Sequence, residues 1–221
     1  MTAAAATAAA TAAATAAAAE LGALSSEQRL RASAVALGNK IALARADFVT
    51  FFNLVWYSAE GIPLSIQPHQ RLWLKHLDSY RRVLLLAPRG HGKTDMVSAR
   101  ILWELGRNPA LRVKIACQSD NRAKRLLITL KHHLQHNKLL KLVFPKLERD
   151  PRGSWTDTQI DLKRPGAPRD PSIHALGVLT TVVGGRSELL VFDDPMDYRM
   201  VVLQPRTCKA AVGKVFAHPV P

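Results

Sequence analysis

The apolar positions of the chain divide it into a helical first part and a second part in which strands alternate with helices. Over 30–44, apolar residues recur every three or four positions, which predicts an amphipathic helix. Ser25 followed three residues later by Gln28 forms a capping box, so the helix should begin there. After it come an aromatic segment over 48–57, whose side chains we expect in the core, and a short helix opened by Pro68.

Four short apolar runs predict the strands of a sheet, at 83–87, 113–117, 173–177 and 189–193. The segments between them show helical spacing. One helix is predicted over 94–105, with Gly106 as its C-cap. Another is predicted over 121–142, capped by Ser119 or Asp120 and basic along one side. This alternation of strands and helices predicts an α/β fold.

The composition suggests three segments. Residues 1–24 are nearly all Ala and Thr and are predicted to be a low-complexity lead without a function of its own. Residues 25–80 form a helical N-terminal segment, and residues 81–221 form the α/β core. Within that core, the Pro- and Gly-rich stretch 150–171 predicts loop and hairpin structure.

The charge of the chain narrows the class of partner. Of 221 residues, 31 are Lys or Arg and 17 are Asp or Glu, which gives a net charge of +14. Such an excess predicts a polyanionic partner, either nucleic acid or an acidic membrane face; the alternative is a basic protein without such a partner. No run of about 20 strongly apolar residues is present, so no membrane span is predicted. The two cysteines lie in no disulfide or zinc pattern.

The first candidate site follows the apolar run at 83–87, where the sequence A-P-R-G-H-G-K-T ends in Lys93 and Thr94. An apolar strand, a glycine-containing loop and G-K-T at the start of a helix are typical of a phosphate-binding loop. Its backbone N–H groups hold phosphate, Lys93 reaches the β- and γ-phosphates, and the Thr94 hydroxyl binds Mg²⁺. Ala87 stands where the motif usually has its first glycine. The alternative is a strand, turn and helix with an incidental lysine.

The predicted nucleotide-binding residues include one from upstream of the loop. Gln67 and Gln70 each precede the loop by a number of residues that would allow a hydrogen bond to an adenine edge. The alternative is that the Gln caps a helix. The predicted set is Ala87, Pro88, Arg89, Gly90, His91, Gly92, Lys93, Thr94 and Gln70.

The second candidate site is the pair of acids that ends the apolar run at 189–193. A short apolar strand that delivers carboxylates at its C-terminal end places them where α/β sheets bind ligands. Because this strand follows a phosphate loop by about a hundred residues, it is a Walker B candidate. Asp193 is predicted to hold Mg²⁺ and Asp194 to orient the attacking water. The alternative is a strand that simply ends in a turn.

Taken in order, these motifs resemble the ATPase domain of the large terminase subunit of tailed bacteriophages. The likeness extends over 46–197. It rests on D-F-V-T-F-F before P-H-Q-R-L-W, the phosphate loop A-P-R-G-H-G-K-T, I-A-C-Q-S-D-N-R-A-K-R, S-I-H-A-L-G-V, and G-G-R-S-E-L-L-V-F-D-D-P.

The resemblance implies a P-loop NTPase fold, with a doubly wound, mostly parallel sheet flanked by helices. It also implies ATP and Mg²⁺ as cofactors, with hydrolysis driving double-stranded DNA into a procapsid. The partners would be a homo-oligomeric ring on the portal protein and the small terminase subunit, in the host bacterial cytoplasm. By this likeness Arg89 contacts the γ-phosphate or couples hydrolysis to movement, and Arg186 is a coupling or sensor residue.

The sequence departs from the family pattern in two ways, at Asp194 and at its C-terminal end. Asp194 is one methylene shorter than the Glu that many relatives use. The family also continues to a coupling strand and a nuclease domain, so we expect this sequence to be an ATPase-domain fragment, incomplete at its C-terminus. The alternatives are another P-loop nucleic-acid motor, such as a helicase-like ATPase, and a non-catalytic fragment that binds nucleotide or DNA.

Overall fold

The computed structural model describes residues 25–166, 169–179 and 185–196, and the single residues Arg206 and Lys209. The chain divides into two units, 1–42 and 43–221. Its helices are α1 (Ser26–Ala46), α2 (Phe48–Val55), α3 (Pro68–Ser79), α4 (Lys93–Arg107), α5 (Asp120–His136) and α6 (Lys138–Val143). Its strands are β1 (Val113–Cys117), β2 (Gln159–Ile160), β3 (Ile173–Gly177) and β4 (Leu189–Asp193). None of the helices in these ranges is long and apolar enough to cross a membrane.

Helix α1 begins where the capping box predicts. The Ser25 N–H donates to the side chain of Gln28, and the Gln28 N–H donates to the Ser25 hydroxyl. The predicted apolar face is wrong for most of the helix, because Leu30 and Leu37 are exposed. Ala44, near the end of the helix, is buried.

The described strands form one mixed sheet in the order β2-β3-β1-β4. Strand β1 pairs in parallel with both β3 and β4, and β2 pairs antiparallel with β3. Helix α5 packs against β3 and β1. The predicted α/β class and three of the predicted strands are confirmed, while the doubly wound parallel sheet remains a prediction. Because β1, β3 and β4 run the same way, their C-terminal ends share one edge of the sheet.

The fourth predicted strand, at 83–87, is not formed. This segment pairs with none of the four described strands. Leu84 and Leu86 are 78% and 85% exposed. Apolar character alone therefore did not make a strand here, because a strand also needs a neighbour to accept its backbone hydrogen bonds.

A single helix over 121–142 is also wrong, since Asn137 separates α5 from α6. The Asn137 side-chain oxygen accepts from the Leu140 N–H and caps α6, while its side-chain N–H₂ donates to the carbonyl of Val55. The helix therefore bends at a residue that has local and distant partners for its amide. Ser119 caps α5 as predicted, by accepting from the Arg122 N–H.

The aromatic segment lies in the core, as predicted. Phe48, Phe51, Phe52 and Trp56 are all buried. The Phe48 ring meets Trp103 of α4 edge to face, with the ring centroids 5.7 Å apart. Helix α4 ends one residue beyond the predicted C-cap, with Asn108 as its cap. This aromatic packing holds α2 against α4, the helix that begins directly after the phosphate loop.

Candidate functional site

Two glycines of the loop before α4 have backbone conformations that favour glycine. Gly90 and Gly92 have φ of 80° and 71°, in the left-handed region that glycine enters without strain. Gly92 is the N-cap of α4, so the helix begins at Lys93 and directs its first N–H groups toward the loop. A Cβ on Gly92 would lie 2.6 Å from Gln70 Nε2, which leaves no room for a side chain.

Gln70 is the residue against which the loop packs. The side chain is 5% exposed, its Oε1 accepts from the Gln67 N–H at 2.9 Å, and its Nε2 donates to the His91 carbonyl at 3.0 Å. Both ends of the amide are therefore engaged with the protein, one with the start of α3 and one with the loop. In this structure Gln70 holds the phosphate loop to α3, and its predicted contact with adenine stays a prediction.

The amine of Lys93 turns back onto its own loop. Nζ donates to the Ala87 carbonyl at 2.7 Å and to the Pro88 carbonyl at 2.9 Å. These two carbonyls bring a partial negative charge to the place where an anionic ligand of the loop would come. Both hydrogen bonds hold the Lys93 amine against its own loop, and its predicted contact with phosphate stays a prediction.

The phosphate loop and the predicted Walker B strand come together at the C-terminal edge of the sheet. The Thr94 hydroxyl lies 3.2 Å from Oδ1 and 3.1 Å from Oδ2 of Asp193, although the two residues are 99 positions apart in sequence. Burial raises the pKa of the Asp193 carboxyl, and the hydrogen bond from Thr94 partly offsets this rise. Hydroxyl and carboxylate oxygens are the ligands that Mg²⁺ prefers, so this pair fits the predicted metal.

Asp194 occupies a different position from its neighbour. Its φ of 43° takes the backbone into the left-handed region, which costs a non-glycine residue about 1 kcal/mol. Its Oδ2 lies 3.7 Å from an Nη atom of Arg122, at the start of α5. The two adjacent carboxylates therefore face different partners, Thr94 for Asp193 and Arg122 for Asp194.

Arg122 and Asp95 were not among the predicted site residues. Asp95, in the first turn of α4, accepts from the indole N–H of Trp56 at 3.2 Å, which ties the helix to the aromatic core. A signal for Arg122 was present. It stands three residues after the predicted cap Ser119, and that cap directly follows a strand. A parallel strand and its following helix place such a residue at the C-terminal edge of the sheet.

Arg186 is not brought to this edge. Its backbone N–H donates to Asp170 Oδ2, and Asp170 also pairs with Arg112, the residue before β1. Arg186 precedes β4, whose five residues span about 13 Å. It therefore lies at the N-terminal edge of the sheet, the opposite edge from Asp193, and its coupling role stays a prediction.

A cleft of about 910 Å³ is lined in part by the loop, by α3, by the starts of α4 and α5, and by Asp194. A cavity of this size is in the range that holds a nucleotide. Arg89, exposed at the tip of the loop, is part of the lining. Thr94 also lines the cleft and connects it to Asp193, which is not itself a lining residue.

Comparisons with known proteins point in one direction. No protein-family model matches the chain. Over 155 residues the chain is 25% identical to the protein named "Terminase, large subunit" of Enterobacteria phage T3, an alignment that covers 70% of the chain. The same alignment covers 26% of the phage protein, so the chain spans about a quarter of the length of the relative that it matches. The chain is thus similar, at a distance, to a phage large terminase subunit.

Proposed function

We propose that this chain is a Mg²⁺-dependent ATPase that acts as the motor domain of a phage-type terminase and moves double-stranded DNA into a procapsid. The observation that carries the proposal is the contact of Thr94 with Asp193 at 3.1–3.2 Å. It brings the predicted phosphate loop and the predicted metal carboxylate to one point, as hydrolysis of a metal-bound nucleotide requires. The similarity to a terminase large subunit supports the choice of motor.

The residues at the cleft have different roles in hydrolysis. Lys93 and Arg89 stabilise negative charge on the terminal phosphate, and the loop N–H groups orient it. Thr94 and Asp193 hold the metal. Asp194 orients the attacking water and accepts its proton. When bound, ATP supplies the phosphoryl group for transfer, and Mg²⁺ neutralises part of its charge.

The partners belong to the same proposal. The net charge of +14 suits a DNA backbone, which a motor grips without reading its sequence. We expect the chain to act as part of a homo-oligomeric ring on a portal protein, together with a small terminase subunit, in the host cytoplasm. These expectations rest on the family resemblance and on the similarity to the phage T3 protein.

A second candidate function is nucleotide binding without turnover. The observation that favours it is that the segment at 83–87 pairs with none of the described strands, with Leu84 and Leu86 exposed. The loop after it is held to α3 by Gln70 and continues into α4. A loop with one unanchored end binds phosphate but positions it less tightly, and phosphoryl transfer depends on positioning.

Steady-state ATP hydrolysis with Mg²⁺ separates the two candidates. We expect Lys93→Ala to lower kcat by about 100-fold or more, because it removes a charge from the transferring phosphate. Lys75→Ala, on the exposed surface of α3, is the matched control and should leave the rate unchanged. Nucleotide binding by the wild type without Lys93-dependent hydrolysis supports the second candidate. Absence of both binding and hydrolysis contradicts both candidates.

A further inference from the structure

The contact between Arg122 and Asp194 links the cleft to the start of α5. The two side chains are 3.7 Å apart and are 45% and 41% exposed. An ion pair this long and this exposed is weak, so it exchanges readily for a stronger partner. Asp194 thus has Arg122 as an ion-pair partner, but a competing anion can displace Asp194 from this pair.

The position of Arg122 is set by the fold around it. Ser119 accepts from the Arg122 backbone N–H, which fixes this residue in the first turn of α5. That turn is anchored to the sheet by Asp120, whose carboxylate accepts from the Gly177 N–H at the end of β3 at 2.6 Å. A Cβ on Gly177 would lie 2.9 Å from the backbone of Asp120, so the helix start lies directly against the strand. The Arg122 backbone is therefore held in place while its side chain stays exposed.

The Arg122 side chain lies at the cleft to which we assign the nucleoside triphosphate. Arg122 lines the same cleft as Lys93, Thr94 and Asp194. A Mg²⁺-bound nucleoside triphosphate keeps a net negative charge of about two, against one on Asp194, and an arginine forks well onto phosphate oxygens. The triphosphate should therefore displace Asp194 from the Arg122 guanidinium.

We propose that Arg122 is a positioning residue that holds Asp194 when the cleft is empty and contacts the terminal phosphate when a nucleoside triphosphate is bound. The exchange frees the Asp194 carboxylate to orient water only when there is a terminal phosphate to attack. This inference rests on the proposed function of the cleft. It adds a contact to the terminal phosphate from outside the loop, which a diphosphate cannot make.

Binding measurements test the exchange without relying on turnover. Affinities for a non-hydrolysable β,γ-imido ATP analogue and for ADP, both with Mg²⁺, are measured by calorimetry. We expect Arg122→Ala to weaken binding of the analogue by about tenfold and binding of ADP by less than about twofold. Arg122→Lys should fall between, because it keeps the charge but loses the fork. Arg125→Ala, which removes an exposed cation from the same helix, is the control and should change neither.

A double-mutant cycle tests the resting contact itself. Asp194→Asn releases Arg122 and so should raise analogue affinity by several-fold in the wild-type background. In the Arg122→Ala background the gain should be clearly smaller, because only the general repulsion between Asp194 and phosphate is then relieved. Equal gains in the two backgrounds would show that the two residues are not coupled, and would overturn the proposal.

The failures of the two proposals are distinguishable. A wild type that binds neither analogue nor ADP removes the nucleotide site and this inference with it. A wild type that binds both, with Arg122→Ala weakening them equally or not at all, overturns the role of Arg122 and leaves the nucleotide site standing.

Discussion

At the scale of single residues, His133 is a titratable group that lies in the core. It is 2% exposed, and its ring stacks on Trp56 with the centroids 3.9 Å apart. Burial, with a smaller contribution from the charge of His132, lowers the pKa of His133 to about 4. In the folded chain the imidazole is therefore neutral over most of the acidic range, whereas an unfolded histidine takes up its proton near pH 6.5.

This difference predicts a loss of stability in acid. Above pH 6.5 both states carry a neutral ring and His133 contributes no pH dependence. Between pH 6.5 and about 4 the unfolded state binds the proton, so the free energy of unfolding falls as the pH falls. The loss at pH 4 is at most about 3 kcal/mol. Urea unfolding at several pH values measures it.

The comparison of two variants isolates the effect. His133→Gln should lower stability at pH 7 and flatten the pH dependence between pH 4 and 6.5. His132→Gln, at the exposed neighbouring ring, removes only the smaller contribution and should keep most of the slope of the wild type. If His133→Gln leaves the slope as steep as in the wild type, this assignment is wrong.

At the scale of elements, the sequence predicted best where the local signal and the tertiary partner agree. The capping box at Ser25, the cap at Ser119 and the parallel strands β1, β3 and β4 all formed where the pattern placed them. The segment at 83–87 has the composition of a strand, but strand formation depends on a neighbour that composition does not reveal. The break at Asn137 depends on the distant carbonyl of Val55, which no local pattern contains.

The residues of the site also divide into those that a local motif predicts and those whose role depends on tertiary contacts. Thr94 and Asp193 were predicted from a motif and a spacing, and the fold brings them into contact. Arg122 was grouped with the basic side of its helix, since its pairing with Asp194 depends on how α5 meets the sheet. The amide of Gln70 was an open choice between ligand and cap, and only packing shows that it holds the loop.

Two helical glycines give an element-scale prediction with opposite signs. Gly106 was predicted as a helix cap, but it lies inside α4, where a Cβ would be 2.3 Å from the Phe144 ring. Gly106→Ala should lower the free energy of unfolding by about 1–3 kcal/mol through overpacking. Gly38→Ala, in α1 with open space around it, should leave the free energy of unfolding unchanged or raise it by up to about 1 kcal/mol, because alanine favours a helix more than glycine does.

Chemical denaturation and circular dichroism measure both glycine variants under the same conditions. Equal effects of the two substitutions would contradict the close contact between α4 and Phe144, because helix propensity alone favours alanine at both positions.

At the scale of the whole molecule, the charge excess predicts how the chain meets DNA. A surface that neutralises several phosphates releases counterions on binding, so affinity for long duplex DNA should fall by about tenfold or more between 50 and 200 mM salt. Sequence should matter little, because phosphate contacts carry no base information. Filter binding over a salt series, with random and fixed sequences, measures both. An affinity that does not change with salt would contradict phosphate contacts.

The unpaired segment ahead of the phosphate loop has an energetic consequence. It has no strand pairing among the described residues, and ordering an unpaired backbone costs conformational entropy. A partner that orders Leu84 and Leu86 against its own apolar surface would stiffen the loop before nucleotide arrives. Thermodynamic linkage then makes the effect mutual: nucleotide bound in the loop would raise the affinity for that partner by the same factor.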